Sequence, residues 1–198
     1  MTTPTRDRFL TAAIGLFRRQ GYSGTGLKQI VAESGAPLGS LYHFFPGGKQ
    51  DLAVQAISQT AERYQQLLDR VFSESVDVGR AAVTWFDWAA RALEETDFAD
   101  GCPIGTVACE IASSNEALRE ASQAVFDSWE SRVAVELIGA GVSVAQSHRL
   151  ATFAVASLEG AIMLARVQRC TRPLEDTGHV VAETLCAATK RPDNQAIS

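Results

Sequence analysis

A chain of 198 residues that is 46% apolar and 21% charged, with 15 Gly and 6 Pro, can bury a hydrophobic core but has little turn chemistry for an all-β sandwich. The formal net charge of -5 argues against a nucleic-acid partner only as an average. The first fifty residues hold six cations (Arg6, Arg8, Arg18, Arg19, Lys28, Lys49) and two anions (Asp7, Glu33), while the rest hold the other twelve cations and twenty-one anions, so a basic head precedes an acidic body.

In chain order, Leu10, Ala13, Ile14 and Phe17 fall at i, i+3, i+4 and i+7, which predicts a first helix stopped by Gly21. Leu27, Ile30 and Val31 predict a short second helix that follows Thr25 and Gly26, either of which can cap it, and ends at Gly35. A third short helix from Leu38 to Phe45 is halted by Pro46, Gly47 and Gly48, and two short helices around a glycine turn make a helix-turn-helix candidate. From residue 49 to about 72, Ala53, Ala56, Ile57, Tyr64, Leu67, Leu68 and Val71 keep a 3.6-residue period, predicting a long helix that joins head to body. Further helices are expected near 78–95, 104–113, 116–138, 144–170 and 174–190. The predicted fold is therefore all-α, with about nine helices: a helix-turn-helix domain over 1–48, a helical regulatory and dimerisation domain over 49–190, and a disordered tail over 191–198.

A helix-turn-helix sends its second helix into the major groove, so that helix must expose polar reach. Leu41 and Phe45, four apart, are expected to face the core, which leaves Leu38, Gly39, Ser40, Tyr42 and His43 outside. Ser40 can bond either kind of base edge, Leu38 can touch a thymine methyl, Tyr42 and His43 can donate to phosphates, and Gly39 lets the backbone approach DNA. Lys49 opens the long helix, whose positive N-terminus favours a phosphate. For Lys28, Arg18 and Arg19 a solvated helix face is as good a reading as DNA contact, and Arg6 and Arg8 are expected in a disordered tail ahead of a minor-groove arm.

The run Gly21-Tyr22 through Thr25, Ile30, Ala32, Gly35 and Gly39-Ser40-Leu41-Tyr42-His43-Phe44-Phe45 to Lys49 resembles the N-terminal domain of TetR-family transcription regulators. Phe45-Pro46-Gly47-Gly48-Lys49, one residue longer than the usual spacing, is similar to the LmrA/YxaF-like branch, as are Gly101-Cys102-Pro103-Ile104-Gly105-Thr106-Val107-Ala108 and Leu158-Glu159-Gly160-Ala161 in the body. The resemblance implies a homodimer that represses by covering a palindromic operator and releases it when a small molecule enters the body. Carried over by position, it has Tyr42, His43 and Lys49 on phosphates, Leu38 and Ser40 on bases, and Thr25 or Lys28 on the DNA backbone. Pro37 stands where many members have Ser, and Leu38 where this branch often has Lys, so the operator sequence does not carry over.

In the body, Trp85, Trp88, Phe126, Trp129 and Phe153 supply aromatic surface, with Glu110 and Ser157 as polar residues at apolar positions. They make a candidate pocket for a small apolar or aromatic effector, although core packing explains most of them equally well. Asp87 and Glu159 are further polar candidates, and Glu159, the sole charge in its apolar run, needs a partner. The last two helices carry more apolar surface than one body needs, so Phe153, Leu158, Ala161, Val181 and Leu185 are expected at a dimer interface, with burial inside the monomer as the competing reading.

Four scattered cysteines and three histidines show no metal-ligand spacing and no nucleophile motif, so neither metal, cofactor nor catalysis is expected. Cys102 in its loop could sense redox, but a buried thiol is the stronger reading. The N-terminus lacks the order of a signal peptide, and the run from Leu150 to Ala165, sixteen residues long, is short for a membrane crossing. A cytoplasmic one-component regulator of double-stranded DNA is the expected function, released by an effector and not bound to a membrane. An architectural DNA-binding protein without ligand response and, below it, a thiol-dependent helical enzyme using Cys102 or Cys109 are the alternatives.

Overall fold

The computed structural model describes residues 4–190, and the expected tail over 191–198 lies outside them. Nine helices and no strand occur among the described residues: α1 (Thr5–Gln20), α2 (Leu27–Ser34), α3 (Leu38–Phe44), α4 (Gly48–Glu74), α5 (Val78–Glu94), α6 (Pro103–Ile111), α7 (Glu116–Gly139), α8 (Val144–Gln168) and α9 (Arg172–Thr189). They form two compact units. One holds the chain up to Arg63 together with Asp100–Val125, and the other holds Tyr64–Ala99 with the chain from Phe126 onward. The division at residue 48 follows the function expected of each segment, whereas packing draws α6 and the opening turns of α4 and α7 into the unit of the head.

In the first unit α1 packs on α2, α3 and α6. Phe9, Leu10, Ala13, Leu16 and Phe17 on α1 are buried, as are Ile30, Leu41, Phe45 and Leu52 elsewhere in the unit. Gly21 ends α1 with φ at +72° and Gly35 ends α2 with φ at +59°, backbone that side chains other than glycine's adopt at a cost. Arg6 and Arg8 lie within α1 rather than in a tail: Arg6 Nη2 donates to Gln55 Oε1 at 2.6 Å, and Arg8 Nε donates to the Ser34 carbonyl at 2.9 Å. The second of these satisfies a carbonyl that the end of α2 would otherwise leave without a partner.

In the second unit α5 lies against α9 and α8, and α8 against α9. Gly178 permits the close approach of α9 to α5, since a β-carbon there would come within 2.7 Å of the Phe86 side chain. At 25 residues α8 is long and apolar enough, by length and composition, to cross a membrane, longer than the sixteen-residue run suggests. Its apolar surface divides in two. Ala151, Ala154, Val155, Leu158, Ala161 and Ala165 are buried on one face, and Phe153, Met163, Leu164 and Val167 stand exposed on the opposite one.

Candidate nucleic-acid interface

The third helix is seven residues long and starts directly after Pro37, whose extended backbone sets the end of the turn from α2. Leu41 and Phe45 are fully buried, and Phe9 stands edge-on to Phe45 with ring centroids 6.2 Å apart. That anchorage turns the opposite face outward: Leu38 is 48% and Tyr42 51% exposed, and Gly39 and His43 are exposed as well. Ser40 is half-buried at the edge of this face. The backbone returns through Pro46 and Gly47 to Gly48, whose φ of +63° and missing side chain leave room beside the Tyr42 ring.

The residues flanking α3 divide. Lys28 is exposed on α2. Thr25 is 1% exposed, with its hydroxyl donating to the Gly21 carbonyl at 2.7 Å and accepting from Gln20 Nε2 at 3.3 Å, so the side chain closes the α1–α2 turn. Arg18 lies 3.7 Å from Asp100 and Arg19 3.8 Å from Glu33, so both arginines have carboxylate partners within the unit.

Lys49 is half-buried, its ammonium 4.0 Å from the centroid of the Tyr22 ring. Burial lowers the affinity of this ammonium for its proton below that of an ordinary lysine, and the Glu110 carboxylate partly offsets that effect. Glu110 itself accepts the Ser23 backbone N–H at 2.8 Å. It therefore sits against the head, in the first unit, and not among the aromatic residues of the body with which its position in sequence had grouped it.

Trp88, Phe126 and Trp129 do form a cluster around Tyr64 in the second unit, whereas the ring contact of Trp85 is with Phe86 at 6.2 Å. Tyr64 stacks on Trp129 at 5.1 Å, Trp88 stands edge-on to Tyr64 at 5.4 Å, and Phe126 edge-on to Trp129 at 5.5 Å. Trp85 and Trp129 are buried, and neither indole Nε1 has an acceptor. Beside Trp88 a cleft of about 670 Å³ is also lined by Leu67, Val71, Arg80, Asp87 and Arg91. Tyr64, the centre of the cluster, reads in the sequence only as one more apolar position of a long helix. Ser157 is half-buried on α8, and Phe153 is 40% exposed on the opposite side of that helix from its buried seam.

Four of the five residues expected at a dimer interface are core. Leu158, Ala161, Val181 and Leu185 are each no more than 3% exposed within the single chain, which is the competing reading for them. On α8 the exposed large apolar residues besides Phe153 are Val144, Met163, Leu164 and Val167, with Val180 on α9. Cys102 is buried, its sulfur accepting the Gly105 N–H at the start of α6, whereas Cys109 is exposed.

The chain matches the family model of bacterial regulatory proteins of the tetR family over residues 9–56. It also matches the model described as transcriptional regulator LmrA/YxaF-like, C-terminal domain, over residues 79–180. The HTH-type transcriptional regulator YxaF of Bacillus subtilis is 39% identical over 170 residues, covering 86% of this chain and 89% of that protein. LmrA of the same organism is 35% identical over 170 residues, covering 86% and 90%. A crystal structure of a TetR transcriptional regulator from Legionella pneumophila shares the fold, with a TM-score of 0.84 at 22% identity over 92% of this chain and 98% of that one. The two family models match the DNA-reading head and the body in turn, and both curated relatives span most of the chain, so the protein belongs to the TetR family of transcription regulators, in its LmrA/YxaF-like branch, as a DNA-binding regulator and not an enzyme.

Proposed function

We propose that the protein is a cytoplasmic one-component repressor that binds a palindromic operator as a homodimer and leaves it when a small apolar or aromatic effector binds the body. The observation that carries the DNA side is the outward face of α3, where Leu38, Gly39, Tyr42 and His43 stand free because Leu41 and Phe45 hold the other face in the core. Leu38 and Ser40 read bases, and Tyr42, His43, Lys28 and Lys49 hold phosphates. Residues 1–48, with Lys49 at the opening of α4, carry this reading, and residues 49–190 carry regulation and dimerisation.

The effector site is supported by the two buried indoles without acceptors. A buried donor left unsatisfied costs on the order of 1–3 kcal/mol, and a ligand bringing an acceptor removes that cost. The effector is therefore an aromatic molecule with a carbonyl or similar acceptor, held among Tyr64, Trp85, Trp88, Phe126 and Trp129. Dimerisation is supported by the exposed stripe of Phe153, Met163, Leu164 and Val167, with Val180 on α9. Large apolar side chains lining one side of a helix in this way mark an interaction surface. The experiment is footprinting on the DNA upstream of the protein's own gene. A protected, two-fold symmetric segment supports the reading, and protection of no discrete segment contradicts it.

A further inference from the structure

The exposed carboxylate of Glu110 is held in the way a DNA phosphate is held. The Ser23 backbone N–H donates to its Oε2 at 2.8 Å, and the carboxylate rests on the bare α-carbon of Gly21, where any β-carbon would collide with Oε1. The ammonium of Lys49 lies over Tyr22, the residue between Gly21 and Ser23, and responds to the Glu110 charge. A backbone amide together with a lysine ammonium is the donor set that proteins present to a phosphate oxygen. Ser23 is exposed and Lys49 half-buried, so solvent reaches both. The carboxylate comes from α6, which the family's C-terminal model includes within residues 79–180 but which packs in the unit of the head.

We propose that Glu110 is an internal competitor for phosphate: its carboxylate occupies the Ser23 amide, in the turn beside Lys49, in the free protein, and DNA must displace it. The inference rests on the reading of Lys49 as a phosphate contact. Glu110 thereby sets the baseline affinity for any DNA, independently of base sequence. A change that moves α6 toward the α1–α2 turn lowers that baseline, and one that moves it away raises it.

The test uses Glu110→Gln in the full chain, because glutamine keeps an oxygen that accepts the Ser23 N–H while removing the charge. Binding to a random-sequence duplex is followed by fluorescence anisotropy across a salt series. Glu110→Gln is expected to tighten binding by about 2- to 5-fold at low salt, the range of a solvent-screened charge interaction, and to steepen the salt dependence by up to about one counterion. In a Lys49→Ala background the gain disappears. Glu94→Gln, which makes the same change in net charge on an exposed position of α5, reproduces neither effect. Unchanged or weaker binding by Glu110→Gln overturns the inference, as does a gain that persists without Lys49. Lys49→Ala with wild-type affinity overturns it through the reading of Lys49, whereas a weakened Lys49→Ala beside an unchanged Glu110→Gln overturns the competition alone.

Discussion

Phe9 on α1 meets Phe45 edge-to-face, with centroids 6.2 Å apart and both side chains fully buried, and this contact seats the end of α3. A helix of seven residues has no stability of its own in water, so its orientation depends on such packing. Phe45→Ala is expected to destabilise the head by about 3–5 kcal/mol through lost burial and the cavity left behind. Thermal unfolding followed by circular dichroism checks it, and a loss under about 1 kcal/mol contradicts the anchoring role.

Across α2 and α3 the two kinds of contact separate by their salt response. Lys28→Ala is expected to weaken binding to any duplex and to lower the salt slope by about one. Leu38→Ala and Ser40→Ala leave the slope alone and change which bases are preferred, each costing on the order of 1–3 kcal/mol at its own position. Titrations on matched and mismatched duplexes at several salt concentrations distinguish these outcomes. A Leu38→Ala protein with the wild-type base preference contradicts the readout assignment.

The two faces of α8 make opposite predictions for the same chemical change. Leu164→Arg places a charge on the exposed stripe, so the chain folds normally but sediments as a monomer. Leu158→Arg puts an unpaired charge into the seam against α9, so the chain loses stability by several kcal/mol or fails to fold. Analytical ultracentrifugation of both variants reads this directly. A folded Leu164→Arg dimer places the interface elsewhere.

Effector binding is expected to be visible through the protein's own tryptophans, since Trp85, Trp88 and Trp129 all lie in the second unit. Aromatic carbonyl compounds are expected to raise the melting temperature more than hydrocarbons of equal size, by the worth of one or two hydrogen bonds of about 0.5–1.5 kcal/mol each. A ligand that weakens operator binding must be weakened by operator to the same factor, typically about 5- to 150-fold. A compound that quenches the fluorescence and leaves operator affinity unchanged shows that the cluster is not the effector site.

Much of the fold was legible because its signals are local. Gly21 and Gly35 stop helices at left-handed or near-left-handed turns, and the outward face of α3 follows from Leu41 and Phe45 lying one turn apart. What escaped depends on tertiary partners. On α8 apolar residues occupy both faces, so periodicity offers no way to separate Leu158, which is core, from Leu164, which is surface. The bond from the Thr25 hydroxyl to the Gly21 carbonyl, which closes the α1–α2 turn, has no signal in the sequence. Glu110 stands 87 residues from Ser23, and no pattern along the chain announces that contact. Arg6 and Arg8 read as a basic tail because their acceptors on Gln55 and Ser34 are equally remote in sequence.

The central claim is that the exposed face of α3 reads a two-fold symmetric DNA site, and selection from a random duplex library tests it most directly. Wild-type protein is expected to enrich an inverted repeat whose half-sites lie about one helical turn, or a multiple of it, apart. Leu38→Ala and Ser40→Ala should shift the bases at a few positions of each half-site while the spacing stays fixed. Enrichment of no symmetric sequence, or of the same sequence with the same base preferences by all three proteins, would contradict the account.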